Sequence, residues 1–311
     1  MKISNQTFQK SSAWVKRNAR SLDVARWEYF FENGTKEQVI KYLSAFQNDD
    51  GGFGHGIEPD FWTPQSSPMS TWAAGQILMD IEADKNDKIV QSMVDYLTKT
   101  YHEDSGMWDS AIPENNDHPH APWWGWDEDV QKNWMFNPSA ELAAFLVHWS
   151  EVESEASQIG WASIEKAVDH LMASDEMDHH EINNFQQLVR IVEPYEETFN
   201  AKLAYTYEDV TEKVMSLAEI CVEKDPSKWA TDYLPLPLDF ISGPDDALYE
   251  RMEALVEQNI NFYLERITDE GIWDISWDWG MYPEEYSIAR RYWQGILTVD
   301  RYKALKTFGW L

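Results

Sequence analysis

Three stretches of the sequence bring together side chains that could do chemistry. The first begins at His55 and contains Glu58 and Asp60, so an imidazole and two carboxyl groups lie within six residues of a loop shaped by glycine and proline. Such groups can transfer protons or hold a substrate. We therefore take His55, Glu58 and Asp60 as candidate catalytic residues and the neighbouring Trp62 as a candidate substrate-binding residue. The alternative, that these groups brace the loop by hydrogen bonds, stays open.

The second stretch combines two histidines with a cluster of tryptophans. Asp117–His120 contains a His-x-His pair beside a carboxylate, a pattern that can ligate zinc or iron. Such a site needs a further ligand from elsewhere, and the same holds for the adjacent pair His179–His180. We therefore predict no metal and no cofactor, and interpret the segment as a lid loop with stacking indoles. Its candidate substrate-binding residues are Trp123, Trp124 and Trp126.

In the third stretch indoles and carboxylates alternate between Trp273 and Gly280. In an extended segment, alternate side chains point to opposite sides, so the aromatic rings would share one side and the acids the other. Carboxylates beside aromatic rings occur both in sugar-binding clefts and in pockets that stabilise cations. The candidate catalytic residues are Asp274 and Asp278, and the candidate substrate-binding residues are Trp277, Trp279 and Tyr282. Arg290–Arg291 could pair with these acids, and the tryptophans could simply anchor the last repeat.

A sharp turn with a characteristic spacing precedes the first stretch. Leu43 is followed by Gln47, then by Gly51 and Phe53. A helix that reaches Gln47 must end here, because paired glycines after acidic residues cannot continue it cheaply. The turn therefore predicts a helix end and a new helix starting near Ser67.

The Gly-x-aromatic half of this turn recurs along the chain. It is found again in Gly106–Trp108 and Gly271–Trp273, and a degenerate copy ends at Trp229. The gap between Trp108 and Trp229 is about two repeats long. We therefore place within it a further repeat, near Ser174–Met177, that has lost the Gly-x-aromatic pattern. Periods of this size are typical of stacked helical units that bury their apolar faces against neighbours.

This pattern resembles the QW motif of the terpenoid cyclase and protein prenyltransferase superfamily. The resemblance implies an all-α chain folded as an (α/α)6 toroid, a ring of about six helical hairpins, with residues 1–311 forming a single domain. Two long connections, Ala111–Asn137 and Thr231–Pro244, would fold over one mouth of the ring.

The superfamily's catalytic motifs match less well than its repeat. The nearest counterpart of the Asp-x-Asp-Asp motif of class II cyclases is Gly243–Ala247, which begins with glycine instead of aspartate and makes Asp245 a candidate catalytic acid. The lone Cys221 lacks the Asp-x-Cys context of the zinc-binding prenyltransferases. The resemblance implies a protein that binds or converts an isoprenoid, or another hydrophobic small molecule, in an aromatic central cavity, and leaves open whether it is an enzyme.

Two alternatives remain beside the isoprenoid interpretation. Rings of six helical hairpins also serve glycoside hydrolases and polysaccharide lyases, which would use a tryptophan-lined groove with two carboxylates. A non-catalytic ligand-binding scaffold would use the same aromatic mouth. The ligand is therefore expected to be an isoprenoid or a glycan.

The composition limits the partners. The net charge is −30, which opposes binding to nucleic acid and to anionic membrane surfaces. With 17 tryptophans the chain is Trp-rich, and its single cysteine excludes an intramolecular disulfide. The sequence has no secretory-type apolar leader and no apolar run of membrane-spanning length, so we expect a cytoplasmic protein.

Overall fold

A computed structural model describes residues 2–311, and within that range the chain is all-helical. Isolated β-bridges occur there, but no β-strand. None of the described helices is long and apolar enough to cross a membrane. The α-helices are α1 (Asn5–Asn18), α2 (Ser21–Phe31), α3 (Lys36–Leu43), α4 (Pro68–Asp80), α5 (Lys88–Thr100), α6 (Val130–Trp134), α7 (Ser139–Trp149), α8 (Glu155–Ala173), α9 (His179–Val192), α10 (Glu196–Lys202), α11 (Tyr207–Cys221), α12 (Tyr249–Glu265) and α13 (Pro283–Thr307).

The chain divides into two compact units. The first consists of the chain up to Leu43 together with Val222–Leu311, and the second is Ser44–Cys221. The sequence interpretation treats residues 1–311 as a single domain, which stays a prediction.

The second unit is built from helical hairpins in two layers. The hairpins pair α4 with α5, α7 with α8 and α9 with α11. Helix α7 packs on both α4 and α9, and α8 packs on both α5 and α11. Helix α7 also packs on α5. We group α4, α7 and α9 under the label inner layer, and α5, α8 and α11 form the other set.

Helix α7 lies at the centre of this unit. All of its residues except His148 are buried, including the apolar run Leu142–Val147. A helix that is apolar on every side is stable only when neighbours cover all of its faces. By contrast, α5 is amphipathic and buries one stripe, which includes Val90, Met93 and Leu97. The difference accounts for the central position of α7 and the outer position of α5.

The first unit is held together by an aromatic cluster. Trp27 on α2 and Tyr302 on α13 are fully buried, and their ring centroids are 5.0 Å apart. Phe8 on α1 packs against both rings, at 5.2 Å and 5.8 Å. The Tyr302 hydroxyl also shares a 2.7 Å hydrogen bond with the Ser11 hydroxyl. Burial of large rings with the hydroxyl satisfied fixes α1, α2 and α13 against one another.

The first repeat turn has the hydrogen bonding that its glutamine predicts. The Gln47 side chain donates to the carbonyl of Gly51 at 2.9 Å and to that of Ile89, at the start of α5, at 3.0 Å. Phe53 is fully buried, and its N–H donates to the hydroxyl of Thr71 on α4. The turn thus joins both helices of the hairpin that follows it.

Two other copies of the turn replace the glutamine by an indole. The indole N–H of Trp108 donates to the carbonyl of Leu97 at 2.8 Å, and that of Trp273 donates to the carbonyl of Tyr263 at 2.8 Å. Both tryptophans are fully buried. In each case the indole donates to a carbonyl near the end of the preceding helix, where intrahelical donors run out; the Tyr263 carbonyl also accepts the N–H of Arg266 at 3.1 Å. The predicted all-α class and these turns are confirmed.

The glycine of each turn adopts a backbone conformation that other residues avoid. The φ angle is +93° at Gly51, +80° at Gly106 and +83° at Gly271. At Gly51 space is also lacking, because an added Cβ would lie 2.0 Å from the carbonyl oxygen of Ser92. Only glycine fits both constraints.

We predict that Gly51→Ala destabilises the protein much more than Gly56→Ala. Both positions have positive φ, but at Gly56 the nearest atom to an added Cβ is 3.5 Å away, in the Trp62 ring. The control carries only the left-handed strain of about 1–2 kcal/mol, whereas Gly51→Ala adds an overlap with backbone and should cost more than about 3 kcal/mol. Urea denaturation of both variants measures the difference; equal losses would contradict the packing argument.

Candidate functional site

Two loops of the second unit hold the first two groups of predicted residues. In the first loop His55 is exposed, and its Nε2 lies 2.8 Å from Oδ1 of Asn48. Glu58 and Asp60 are both buried, and the Glu58 carboxylate accepts the backbone N–H of Asp60 at 3.1 Å. The indole N–H of Trp62 donates to the Pro59 carbonyl at 3.0 Å. These bonds give the loop a fixed shape.

The second loop pairs with the first through its backbone. The N–H of Trp62 donates to the carbonyl of Pro119 at 2.9 Å, and the N–H of Ala121 donates to that of Asp60 at 2.7 Å. Phe61 and His120 form an antiparallel bridge between these bonds. The predicted residues Asp60 and Trp62 are therefore brought next to the His118–Trp126 segment, although about sixty residues of chain separate them.

Two asparagines shape the tryptophan segment. The buried Asn115 accepts a hydrogen bond from the Thr63 hydroxyl at 2.7 Å and donates to the Trp124 carbonyl at 3.0 Å. The Asn116 side chain accepts the N–H of Trp126 and donates to its carbonyl, both at 2.9 Å. Nδ1 of His120 lies 2.7 Å from the His118 carbonyl oxygen, so that nitrogen carries the proton.

A row of aromatic rings runs from these loops towards α9. Phe61 packs on Trp124 with centroids 5.3 Å apart, and Trp124 stacks on Trp134 at 4.8 Å with nearly parallel planes. The Trp134 ring lies 6.3 Å from the ring of His180. Trp123 is 37% exposed, whereas Trp124 is buried and its indole N–H has no hydrogen-bond partner. An unused buried donor of this kind is rare in proteins and calls for an explanation.

The N-terminal ends of the inner-layer helices are joined by polar contacts. The Trp72 indole on α4 donates to Glu141 on α7 at 2.5 Å. The N–H of Phe136, just before α7, donates to Glu181 on α9 at 3.0 Å, and the Asn184 amide donates to Asn137 at 2.9 Å. These contacts pair α4 with α7 and α7 with α9 through acid and amide groups, and together they are called the polar network here.

Glu141 has the most unusual environment in this network. Its side chain is 2% exposed on the side of α7 that faces α4. Burial raises the pKa of Glu141 to about 8, and hydrogen bonds from Trp72 and Gln76 offset only part of that rise. Asp80 raises the pKa further and Arg190 opposes it. A carboxyl group with such a pKa is largely neutral at pH 7 and can act as a proton donor.

The third group of predicted residues lies in the first unit. Asp274 forms an ion pair with Arg290 and accepts a hydrogen bond from Gln294 at 3.1 Å. Burial alone would raise the pKa of Asp274, but the hydrogen bonds from Arg290 and Gln294 hold it below its ordinary value. Asp278 is exposed, and its carboxylate accepts the N–H of Gly280 at 2.6 Å. Asp274 is therefore ionised at neutral pH.

The aromatic members of that group pack in different ways. Trp277 lies against Trp293 at 5.2 Å and Tyr233 at 5.4 Å, with rings nearly perpendicular, and its indole N–H is buried without a hydrogen-bond partner. Trp279 is buried against Tyr286 at 5.8 Å. Tyr282 precedes α13 with a φ angle of +49°. The remaining candidate, Asp245, is exposed before α12.

The sequence interpretation missed Glu141 and its two hydrogen-bond donors, Trp72 and Gln76. A signal for the acid was present, because Glu141 directly precedes the uncharged apolar run Leu142–Val147. A carboxylate at the start of a helix that is buried on all sides must find donors or stay neutral.

No protein-family model matches the chain, and no curated protein or solved structure matches it either. The resemblance to the QW repeats therefore depends on the residues and on the geometry of the turns.

We predict that Glu141→Gln removes a pH dependence of stability. Glu141 keeps its proton up to about pH 8 when folded but loses it near pH 4.5 when unfolded, so its contribution to stability falls as the pH rises through this window. Glutamine cannot ionise and still offers an oxygen to Trp72 and Gln76. The variant should gain on the order of 4 kcal/mol relative to wild type between pH 4.5 and 8.

Urea denaturation at several pH values measures this difference. Glu165→Gln, at an exposed position on α8, is the control and should follow the wild type across the range. A parallel pH profile for Glu141→Gln and wild type would mean that Glu141 is ionised in the folded protein.

Proposed function

We propose that this protein is an α/α toroid of the terpenoid cyclase type and that it protonates an isoprenoid substrate, with Glu141 as the acid. The observation that carries the proposal is the neutral carboxyl group of Glu141, buried beside Trp72 at the N-terminal end of the inner layer. Class II cyclases likewise begin their reaction with a carboxylic acid, as the resemblance implies.

The fold part of the proposal is supported by the repeat turns and the layers. Three turns with the same glycine geometry connect helix ends to a buried aromatic residue. In the second unit the hairpins place α4, α7 and α9 in one layer and α5, α8 and α11 in the other. Two concentric layers of paired helices are what an arc of an α/α toroid requires.

The chemical part follows from the partners of Glu141. The carboxyl proton would pass to one carbon of a substrate double bond, whose electron pair forms the new C–H bond and leaves a cation on the neighbouring carbon. The resulting carboxylate keeps the N–H donors of Trp72 and Gln76, at 2.5 and 3.2 Å. Because these hydrogen bonds strengthen as negative charge develops, they favour the proton transfer. Glu141 is also the third residue of α7, where the helix dipole stabilises an anion.

The two loops would then bind the substrate. Phe61, Trp124 and Trp134 pack in one row in which Phe61 and Trp124 are buried, and in this proposal the row supports the loops that would contact the substrate. We assign His55, Glu58 and Asp60 to the positioning of this surface, because their hydrogen bonds hold the loop backbone. Trp62, Trp123 and Trp126 remain predicted substrate contacts.

The candidates in the first unit receive a different role. Asp274 is ionised beside Arg290 and so cannot be the initiating acid. Asp245 and Asp278 are exposed to solvent and are not enclosed as Glu141 is. Trp277, Trp279 and Tyr282 remain predicted binding residues.

One observation favours glycoside hydrolysis as a second candidate. Asp80, one turn beyond Gln76 on α4, raises the pKa of Glu141. A neutral carboxyl group close to a second carboxylate is the arrangement that glycosidases use, and the partly exposed Trp123 could stack on a sugar ring.

The deciding experiment incubates the protein with squalene and with geranylgeraniol in deuterated water. Because the Glu141 carboxyl group exchanges with solvent, a product formed by protonation should contain one deuterium on carbon, which mass spectrometry detects. Glu141→Gln should lower the rate by on the order of 100- to 10,000-fold, the usual contribution of a general acid.

Glu165→Gln is again the control and should leave the rate unchanged. A product without solvent deuterium, or an active Glu141→Gln variant, would contradict the protonation mechanism. Turnover of nitrophenyl glycosides with loss of activity in both Glu141→Gln and Asp80→Asn would favour the second candidate instead.

A further inference from the structure

Three consecutive residues at the start of α9 bring metal-ligating atoms together. The carboxylate of Asp178 and the ring nitrogens of His179 and His180 offer ligand atoms that all lie within 4.8 Å of one another. Neighbouring side chains on a helix normally point apart. Here the two imidazole rings are only 3.9 Å apart between centroids.

The helix start explains this proximity. Asp178 is the N-cap residue of α9 and has extended backbone angles, so its side chain turns back over the first turn. One carboxylate oxygen accepts the N–H of His180 at 2.8 Å, and the other lies 3.6 Å from Nδ1 of His179. The cap therefore holds the carboxylate next to both imidazoles.

The surroundings leave part of the cluster exposed. The Asp178 side chain is 52% exposed, and that of His179 is 20% exposed. The His180 ring is half-buried and borders the Trp134 ring on one side. An ion can therefore approach the cluster from the side of Asp178.

We propose that Asp178, His179 and His180 form a binding site for a borderline divalent transition-metal ion such as Zn²⁺. Two imidazole nitrogens and one carboxylate oxygen suit Zn²⁺, Co²⁺ or Ni²⁺ better than Mg²⁺ or Ca²⁺, which prefer oxygen ligands alone. Three protein ligands leave a position for water or a ligand molecule. The N-cap carboxylate also offsets the positive end of the helix dipole, which would otherwise repel a cation.

The main competitor is unspecific binding of cations to a chain with a net charge of −30. We therefore propose to titrate the protein with Co²⁺ in the presence of excess Mg²⁺. Mg²⁺ occupies exposed carboxylates but binds imidazole poorly. Coordination by imidazole changes the visible absorption of Co²⁺, and Zn²⁺ added afterwards should displace it with a stoichiometry of one ion per chain.

The variants His179→Gln and His180→Gln should each weaken Co²⁺ binding on the order of 100-fold. Asp178→Asn should also weaken it, although asparagine caps a helix as well as aspartate and so preserves α9. The matched control is His102→Gln, which removes an imidazole lying 3.2 Å from a single carboxylate, that of Asp109. That variant should bind Co²⁺ like the wild type.

The proposal is overturned if Mg²⁺ abolishes the absorption change, if the two histidine variants bind like the wild type, or if His102→Gln loses as much affinity as they do. Thermal unfolding of each variant without metal shows whether a loss of Co²⁺ affinity results from misfolding. If a histidine variant is misfolded, the Co²⁺ affinity of Asp178→Asn tests the proposal instead, and wild-type affinity in that variant overturns it.

Discussion

Burial of the Glu141 carboxyl group is the constraint on which the inner layer depends. A carboxylate enclosed by α4 and α7 loses its hydration, so it must either be protonated or receive donors from its neighbours. Trp72 and Gln76 supply two donors from a single face of α4. This requires that α4 lie alongside α7 with a fixed position along the helix axis. The charge state of one side chain and the packing of two helices are therefore coupled, because moving either helix would leave a buried polar group without its partner.

The repeat turns fix the position of α4 and α7 along their axes. Phe53 and Trp108 are buried, and their backbone N–H groups donate to hydroxyls in the first turns of α4 and α7, those of Thr71 and Ser139. Each turn therefore connects the end of one hairpin to the start of the next inner helix. Since the same connection is made twice, the N-terminal ends of α4 and α7 lie on the same side of the second unit, where the two loops and the polar network also lie.

The turns could be predicted from the sequence and the site could not, and the reason is the range of the interactions. The positive φ angle of Gly51 is a local property of the chain, so the spacing of Gly51 and Phe53 indicates the turn even though their contacts with Ser92 and Thr71 are distant in sequence. The pairing of Phe61 with His120 depends on two loops that are distant in sequence, and the loop residues have no periodicity that specifies a partner. Glu141 was missed for a related reason: a glutamate in the first turn of a helix is commonly solvated, and although the apolar run that follows Glu141 is a signal of burial, only the tertiary packing shows which donors meet it. The division of the chain at Leu43 and Val222 likewise has no marker in the composition.

Two buried glutamates occupy equivalent positions on their helices but have different partners. Glu141 and Glu181 are both buried third residues of inner-layer helices, α7 and α9. Glu181 accepts a backbone N–H from Phe136 and lies 3.1 Å from Nε2 of His170. Glu141 has neutral donors only, from Trp72 and Gln76, and Asp80 adds an unfavourable charge. The helix dipole acts on both residues alike, so it does not account for a difference between them. The difference lies in their hydrogen-bonding and charged partners. Hydrogen bonds from uncharged donors leave the cost of burying a charge at Glu141 only partly compensated, and the more distant Arg190 does not reverse this, so burial keeps the pKa of Glu141 raised to about 8.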